Sequence, residues 1–116
     1  MQLAKGAIAA GLRILVQQWG ASLLDLSRIY LAGAFGNYIN RASARRIGLL
    51  DFPPEKVLPV GNTALLGAKL ALFNLYESDG SHAELRRKIH HVPLNEDAQF
   101  LDIFAKEMNF PEAAVG

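Results

Sequence analysis

Two short apolar runs, each closed by glycine and each followed by residues of helical character, restrict what this chain can become. The first is "RIYLAGAFG", residues 28–36. The second is "KVLPVG", residues 56–61, which runs straight into "NTALLGAKLAL". Short apolar runs bounded by glycine or proline read as buried strands, here residues 28–32 and 56–60, with Pro59 marking an edge or a strand end. Strands that alternate with helices predict a three-layer α/β unit built on a small, mainly parallel sheet.

The rest of the chain supplies the helices. Residues 3–19 carry Ala4, Ile8, Leu12, Leu15 and Trp19 three or four apart, and Gly20 offers a stop. Residues 41–50 set Ala44, Ile47 and Leu50 on one side and Arg45 and Arg46 on another. Asp51-Phe52-Pro53-Pro54 then breaks the pattern. Asn62 caps a second long helix reaching about Tyr76, so apolar all round that burial between layers is expected. Asp79-Gly80 reads as a turn, and Ser81 with Glu84 as a capping box for a helix over 82–89. His91-Val92-Pro93-Leu94 reads as a third extended segment. A last helix over 97–108 is expected to turn Leu101, Phe104 and Met108 inward.

At 116 residues the chain is one domain by length. It contains 12 Lys and Arg against 11 Asp and Glu, a net charge of +1 that gives no reason to expect a nucleic-acid partner. There is no cysteine, which removes disulfides, thiolate metal sites and Cys-ligated iron–sulfur clusters from this chain and fits a cytoplasmic protein. Lys5, Arg13, Gln17 and Gln18 interrupt the N-terminal apolar run, so neither a signal peptide nor a membrane span is expected. The first helix begins at Met1 with no capping residue before it, as a domain cut from a longer protein would.

Ligands of α/β folds gather where strands end and helices begin. Two corners qualify. One is Gly33-Ala34-Phe35-Gly36, and the other is Gly61-Asn62-Thr63, whose helix N-terminus favours an anion. A tight strand-to-helix turn also uses glycine for purely structural reasons, so the pattern leaves both readings open. There is no P-loop and no G-x-G-x-x-G. The Gly33–Gly36 spacing is shared with RNA-binding KH loops but lacks basic residues to clamp a backbone. His82, His90 and His91 lack metal-ligand spacing, and no Ser, His and Asp set suggests a nucleophile. Arg45, Arg46, Arg86, Arg87 and Lys88 read as solvated helix faces.

Taken together, "QLAKGAIAAGLRIL", "IYLAGAFGNYIN", "RIGLL" and "VLPVGNTALLGAKLAL" resemble, in that order, the C-terminal part of the reductive activators of corrinoid proteins. That family's ATP-binding domain is similar to the superfamily of acetate and sugar kinases, chaperone ATPases and actin. The resemblance implies a ribonuclease-H-like, actin-type lobe, with residues 1–116 as the C-terminal lobe of a longer multidomain protein. It also implies an activity for the full-length protein: ATP drives an uphill electron from a [2Fe–2S] domain onto a cobalt(II) corrinoid protein.

On that resemblance the partners are the corrinoid protein and the missing N-terminal domains. The cofactors are ATP with Mg²⁺, and the cluster belongs to the missing part. Gly33 and Ala34 match the turn that lies against ribose and inner phosphate, with Phe35 and Gly36 beyond and Gly61 and Asn62 at the second corner. The expected role is backbone donation and shape, with no catalytic residue in this chain and no turnover by it alone. Ala34 stands where the superfamily commonly has a second glycine. A left-handed backbone there would cost on the order of 1 kcal/mol or more and loosen the contact. The alternative is a non-enzymatic dimerisation or partner-docking module, in which Leu3, Ile8, Leu12, Leu15 and Trp19 bury part of the first helix in a homodimer.

Overall fold

The computed structural model describes residues 1–73 and 81–112, without the side chains of Phe35, Ser81 and His82. Helix α1 (Gln2–Gln18) leads to strand β1 (Ile29–Ala32), then to α2 (Arg41–Arg46), β2 (Val57–Gly61), α3 (Thr63–Phe73), α4 (Ser81–Lys88) and α5 (Phe100–Glu107). The two strands pair in parallel, Ile29 opposite Val57 and Leu31 opposite Pro59, as the alternation with helices predicts. The register then slips. Ala32 pairs with Gly61, so β2 spends one extra residue before both strands end.

The core sits under one face of this sheet. Ala44, Leu50, Phe52 and Val57 are buried together, and Leu12, Leu23, Leu26, Ile29, Leu31, Ile39 and Leu49 pack around them. Helix α2 is shorter than its apolar spacing predicts. Asn40 caps it by accepting from the Ser43 N–H at 2.9 Å, and it stops at Arg46. Leu50 and Phe52 therefore reach the core from the turn that follows.

Helix α1 faces inward with its small residues. Gly6, Ala9, Ala10, Gly11, Ile14 and Val16 are buried, and a Cβ on Gly6 would lie 2.8 Å from Met108 Cγ. That missing side chain lets α5 press against α1. The opposite side of α1 carries Leu3, Ile8, Leu15 and Trp19, all exposed.

Three expectations need correcting. Helix α3 is not buried: no residue on it is, and Leu65, Leu66, Leu70, Leu72 and Phe73 each expose more than half their surface. A helix apolar on every side needs neighbours on every side, and the described residues do not provide them. Residues 91–94 form no strand; the chain there turns through Leu94–Glu96. Within α5, Leu101 faces solvent at 74% exposure, and Ile103, Phe104 and Met108 make the inner face. The turn at Asp79-Gly80, the side chain of Ser81 in the predicted capping box and the end of the second helix at Tyr76 lie outside the described residues. Among the described residues no helix is long and apolar enough to cross a membrane.

Candidate functional site

Both glycine corners lie at the same end of the sheet, because parallel strands finish on the same side. The Gly33 N–H donates to the Gly61 carbonyl at 2.8 Å, which ties the two corners together just beyond the last ladder pair. Gly33 has φ +93° and Gly61 φ +72°, a backbone region that side chains disfavour. A Cβ built on either meets nothing within 4 Å, so both open onto free space. Sterics within the lobe do not demand glycine at these positions. The left-handed backbone does, and it leaves the surface bare.

The flanking residues serve different ends. After Gly33 the chain makes one tight turn, Ala34–Asn37, closed by the Gly36 N–H donating to the Gly33 carbonyl at 3.1 Å. Among the described residues only glycines have positive φ, so Ala34 does not bear the cost that a left-handed backbone would impose there. Gly36 is buried, and a Cβ there would stand 2.7 Å from the Leu31 carbonyl oxygen. Its role is to let the turn fold back onto β1. Asn62 caps α3 as its sequence predicts, accepting from the Leu65 N–H at 3.0 Å. The first-turn N–H groups of α3 thus lie beside the joined glycines.

The structure also contains a joint that spacing along the sequence does not reveal. Lys5 lies on the inner side of α1 with only 3% of its surface exposed. Its Nζ donates to the carbonyls of Glu107 and of Asn109, the latter at 2.8 Å, and lies 3.6 Å from Glu107 Oε2. Arg13 Nε sits 2.5 Å from Glu107 Oε1. The three residues border a cleft of about 230 Å³ between α1, the turn near Leu49 and the end of α5. Their charges answer one another, and the lysine also caps the C-terminal carbonyls of α5. This is a fastening between the ends of the chain, remote from the glycine corners. A partner more than 100 positions away leaves no local signal in the sequence.

Comparison with known proteins fits this geometry. The family described as the C-terminal domain of RACo, the ASKHA domain, matches residues 1–116. The chain belongs to this family. A solved reductive activator for corrinoid, iron–sulfur protein superposes with a TM-score of 0.80 at 34% identity, covering 95% of this chain and 18% of that one. The corrinoid activation enzyme RamQ of Eubacterium limosum is 38% identical over 113 residues, 95% of this chain and 18% of its own length. A Co(II) methylated amine-specific corrinoid protein reductase of Methanosarcina barkeri is 28% identical over 107 residues, 90% of this chain and 20% of its own length. The expected α/β fold of the actin-type superfamily is thereby established, and the chain spans about a fifth of the length of these relatives.

Proposed function

We propose that this chain is the nucleotide-binding lobe of an ATP-dependent reductive activator of a corrinoid protein, acting in the cytoplasm as the C-terminal lobe of a longer polypeptide. The observation that carries the reading is the Gly33–Gly61 bond. It joins two strand ends at glycines that both open onto free space, beside the N-terminus of α3. Such a shelf suits a ribose and phosphate: the backbone approaches closely, and the helix end favours negative charge. Gly33, Ala34, Phe35 and Gly36 form its first edge, and Gly61 and Asn62 its second.

Among the described residues no group of three His, Cys, Asp or Glu side chains is placed to hold a metal ion. On the reading of this chain as one lobe of two, the magnesium that accompanies ATP belongs to the facing lobe. The chain has no cysteine, so the [2Fe–2S] cluster of the proposed activator belongs to the remaining four-fifths. The contribution of this lobe is to seat and orient nucleotide, which is how phosphoryl-transfer proteins exert much of their effect.

A titration with a non-hydrolysable ATP analogue tests the reading. Amide shifts confined to residues 33–36 and 61–63 are expected, and their absence overturns it. The second reading, a dimerisation or docking module, is favoured by the exposed Leu3, Ile8, Leu15 and Trp19 of α1. It predicts a dimeric mass in solution and no shifts at the glycine corners.

A further inference from the structure

The cleft beside the Lys5–Glu107 joint is lined by two chemically distinct zones. Its apolar zone comes from Ala9 and Phe52, both buried, and from Leu12, Leu23 and Leu49, each partly buried. Its polar zone carries Lys5 and Arg13 from α1, Lys106 and Glu107 from α5, and Asp51 from the turn between α2 and β2.

These charges do not balance. Lys5 and Arg13 share the single carboxylate of Glu107, which leaves the joint with one positive charge in excess. Lys106 and Asp51 are exposed, and neither has an ionic partner among the described residues. The cleft therefore sets three cations against two anions. Lys5 is closed to a ligand, because its Nζ is buried and already meets two carbonyls and the Glu107 carboxylate. Arg13 and Lys106 carry the excess on the side that faces solvent. Arg13 is partly exposed and engages Glu107 through Nε, and a guanidinium offers a planar fork of donors suited to a second carboxylate.

We propose that this cleft binds a small monocarboxylic acid with an apolar stem, its carboxylate at Arg13 and Lys106 and its stem over Leu12, Leu49 and Phe52. One negative charge matches the excess. A phosphate monoester carries nearly twice that charge and would face Asp51 and Glu107 without compensation. The apolar zone in turn favours an organic acid over an inorganic anion. At about 230 Å³ the cleft is smaller than most cofactor pockets, which span about 300–1,000 Å³. An apolar cavity of about 150 Å³ takes benzene, so the scale that fits here is a ligand of about nine non-hydrogen atoms. The site is remote from the glycine corners, and the inference is independent of nucleotide.

Equilibrium dialysis of radiolabelled hexanoate tests this on the 116-residue chain and on a chimera in which it replaces the matched stretch of the Eubacterium limosum protein. Affinity should rise about fourfold per methylene from butyrate to hexanoate, as burial of the stem requires. Hexanamide has the same stem without the charge and should bind roughly tenfold more weakly or worse. Lys106→Gln should weaken hexanoate binding about three- to fivefold. Asp51→Asn should strengthen it by a similar factor, since removing one anion enlarges the positive excess. Both positions are exposed, so the melting temperature should stay that of the parent. Equal binding of hexanoate and hexanamide would mean apolar partition alone and overturns the proposal. So does an Asp51→Asn variant that binds no tighter than the parent, or millimolar hexanoate that binds neither protein. Binding by the short chain that disappears in the chimera would assign the cleft to a segment of the longer protein and overturns it too.

Discussion

Gly33 donates its N–H to the carbonyl of Gly61 at 2.8 Å, and both residues hold a left-handed backbone over open space. The bond fixes the spacing between two loops that lie nearly thirty residues apart in sequence. Neither loop alone offers more than a turn. Joined, they form one backbone surface at the C-terminal ends of two parallel strands, where α/β folds place their ligands.

Gly33→Val places a β-branched residue at φ +93° and should destabilise the lobe by about 1–3 kcal/mol. Because a Cβ at Gly33 meets nothing within 4 Å, the new side chain would project into the space proposed for nucleotide. Two effects are therefore expected: a lower melting temperature without ligand, and a smaller rise on adding an ATP analogue. A variant that melts and responds like the parent would remove Gly33 from the site.

At Gly36 the constraint is steric, with no positive φ. Gly36→Ala brings a methyl group to 2.7 Å from the Leu31 carbonyl oxygen, a backbone atom in a paired strand that has little room to retreat. Overpacking of this kind typically costs about 1–3 kcal/mol. Urea denaturation should show a lower midpoint with an unchanged slope. Unaltered stability would mean that the turn at Ala34–Asn37 shifts freely.

Much of this architecture is legible in local sequence. Apolar runs ending at Ala32 and Gly61 mark the strands, the intervening helix implies their parallel pairing, and Asn62 announces the start of α3. What sequence hides depends on distant partners. Lys5 reads as a polar interruption of α1 because its acceptors arrive at Glu107 and Asn109. Residues 91–94 look extended, yet no neighbouring strand is there to hold them, and the chain turns at Leu94. The composition of α3 predicts a buried helix, while the described residues leave it exposed. The glycine corners are recognisable as turns, but the bond that makes them one surface appears only in three dimensions.

Lys5→Met should cost about 3 kcal/mol or more, the usual scale for breaking one side of a buried ion pair. The methionine retains the packing stem but leaves the Glu107 and Asn109 carbonyls without their donor, and leaves Glu107 to Arg13 alone. The damage should be greatest where α1 meets α5. Hydrogen exchange is expected to accelerate first in α5, with the β1–β2 amides little changed. Uniform acceleration throughout would show that the joint is not a local fastening.

Asp25 gives the lobe a small acid sensitivity. The Ser22 N–H donates to its carboxylate at 2.8 Å and the Ser22 hydroxyl at 3.0 Å, and these bonds hold its pKa below the ordinary aspartate value. A carboxylate depressed in the folded state stabilises above its unfolded pKa, and that contribution fades as pH falls through the folded value. Asp25→Asn should therefore melt slightly below the parent at neutral pH, and the gap should close as pH falls below about 4. A gap that widens in acid would reverse the sign and refute the assignment.

The final expectation is that this chain does not turn over ATP by itself. Phosphoryl transfer depends on positioning and on stabilising charge, with a metal ion bridging the phosphates and an oriented nucleophile in line. The proposed glycine shelf would supply positioning only, through an open surface and a helix end, because the Gly33 and Gly36 N–H groups are spent on the Gly61 and Gly33 carbonyls. Of the acids near turns, Asp51 and Glu55 are exposed to solvent, and Glu77 and Asp79 lie outside the described residues. No described trio of acidic, histidine or cysteine side chains is placed to hold Mg²⁺. Binding without hydrolysis follows if the metal site and the attacking water belong to the facing lobe. Purified chain incubated with Mg–ATP should release phosphate no faster than Gly33→Val, while an ATP analogue still raises its melting temperature. Phosphate release clearly above that control would mean that a complete active site resides in these 116 residues, and the assignment as one lobe of two would fail.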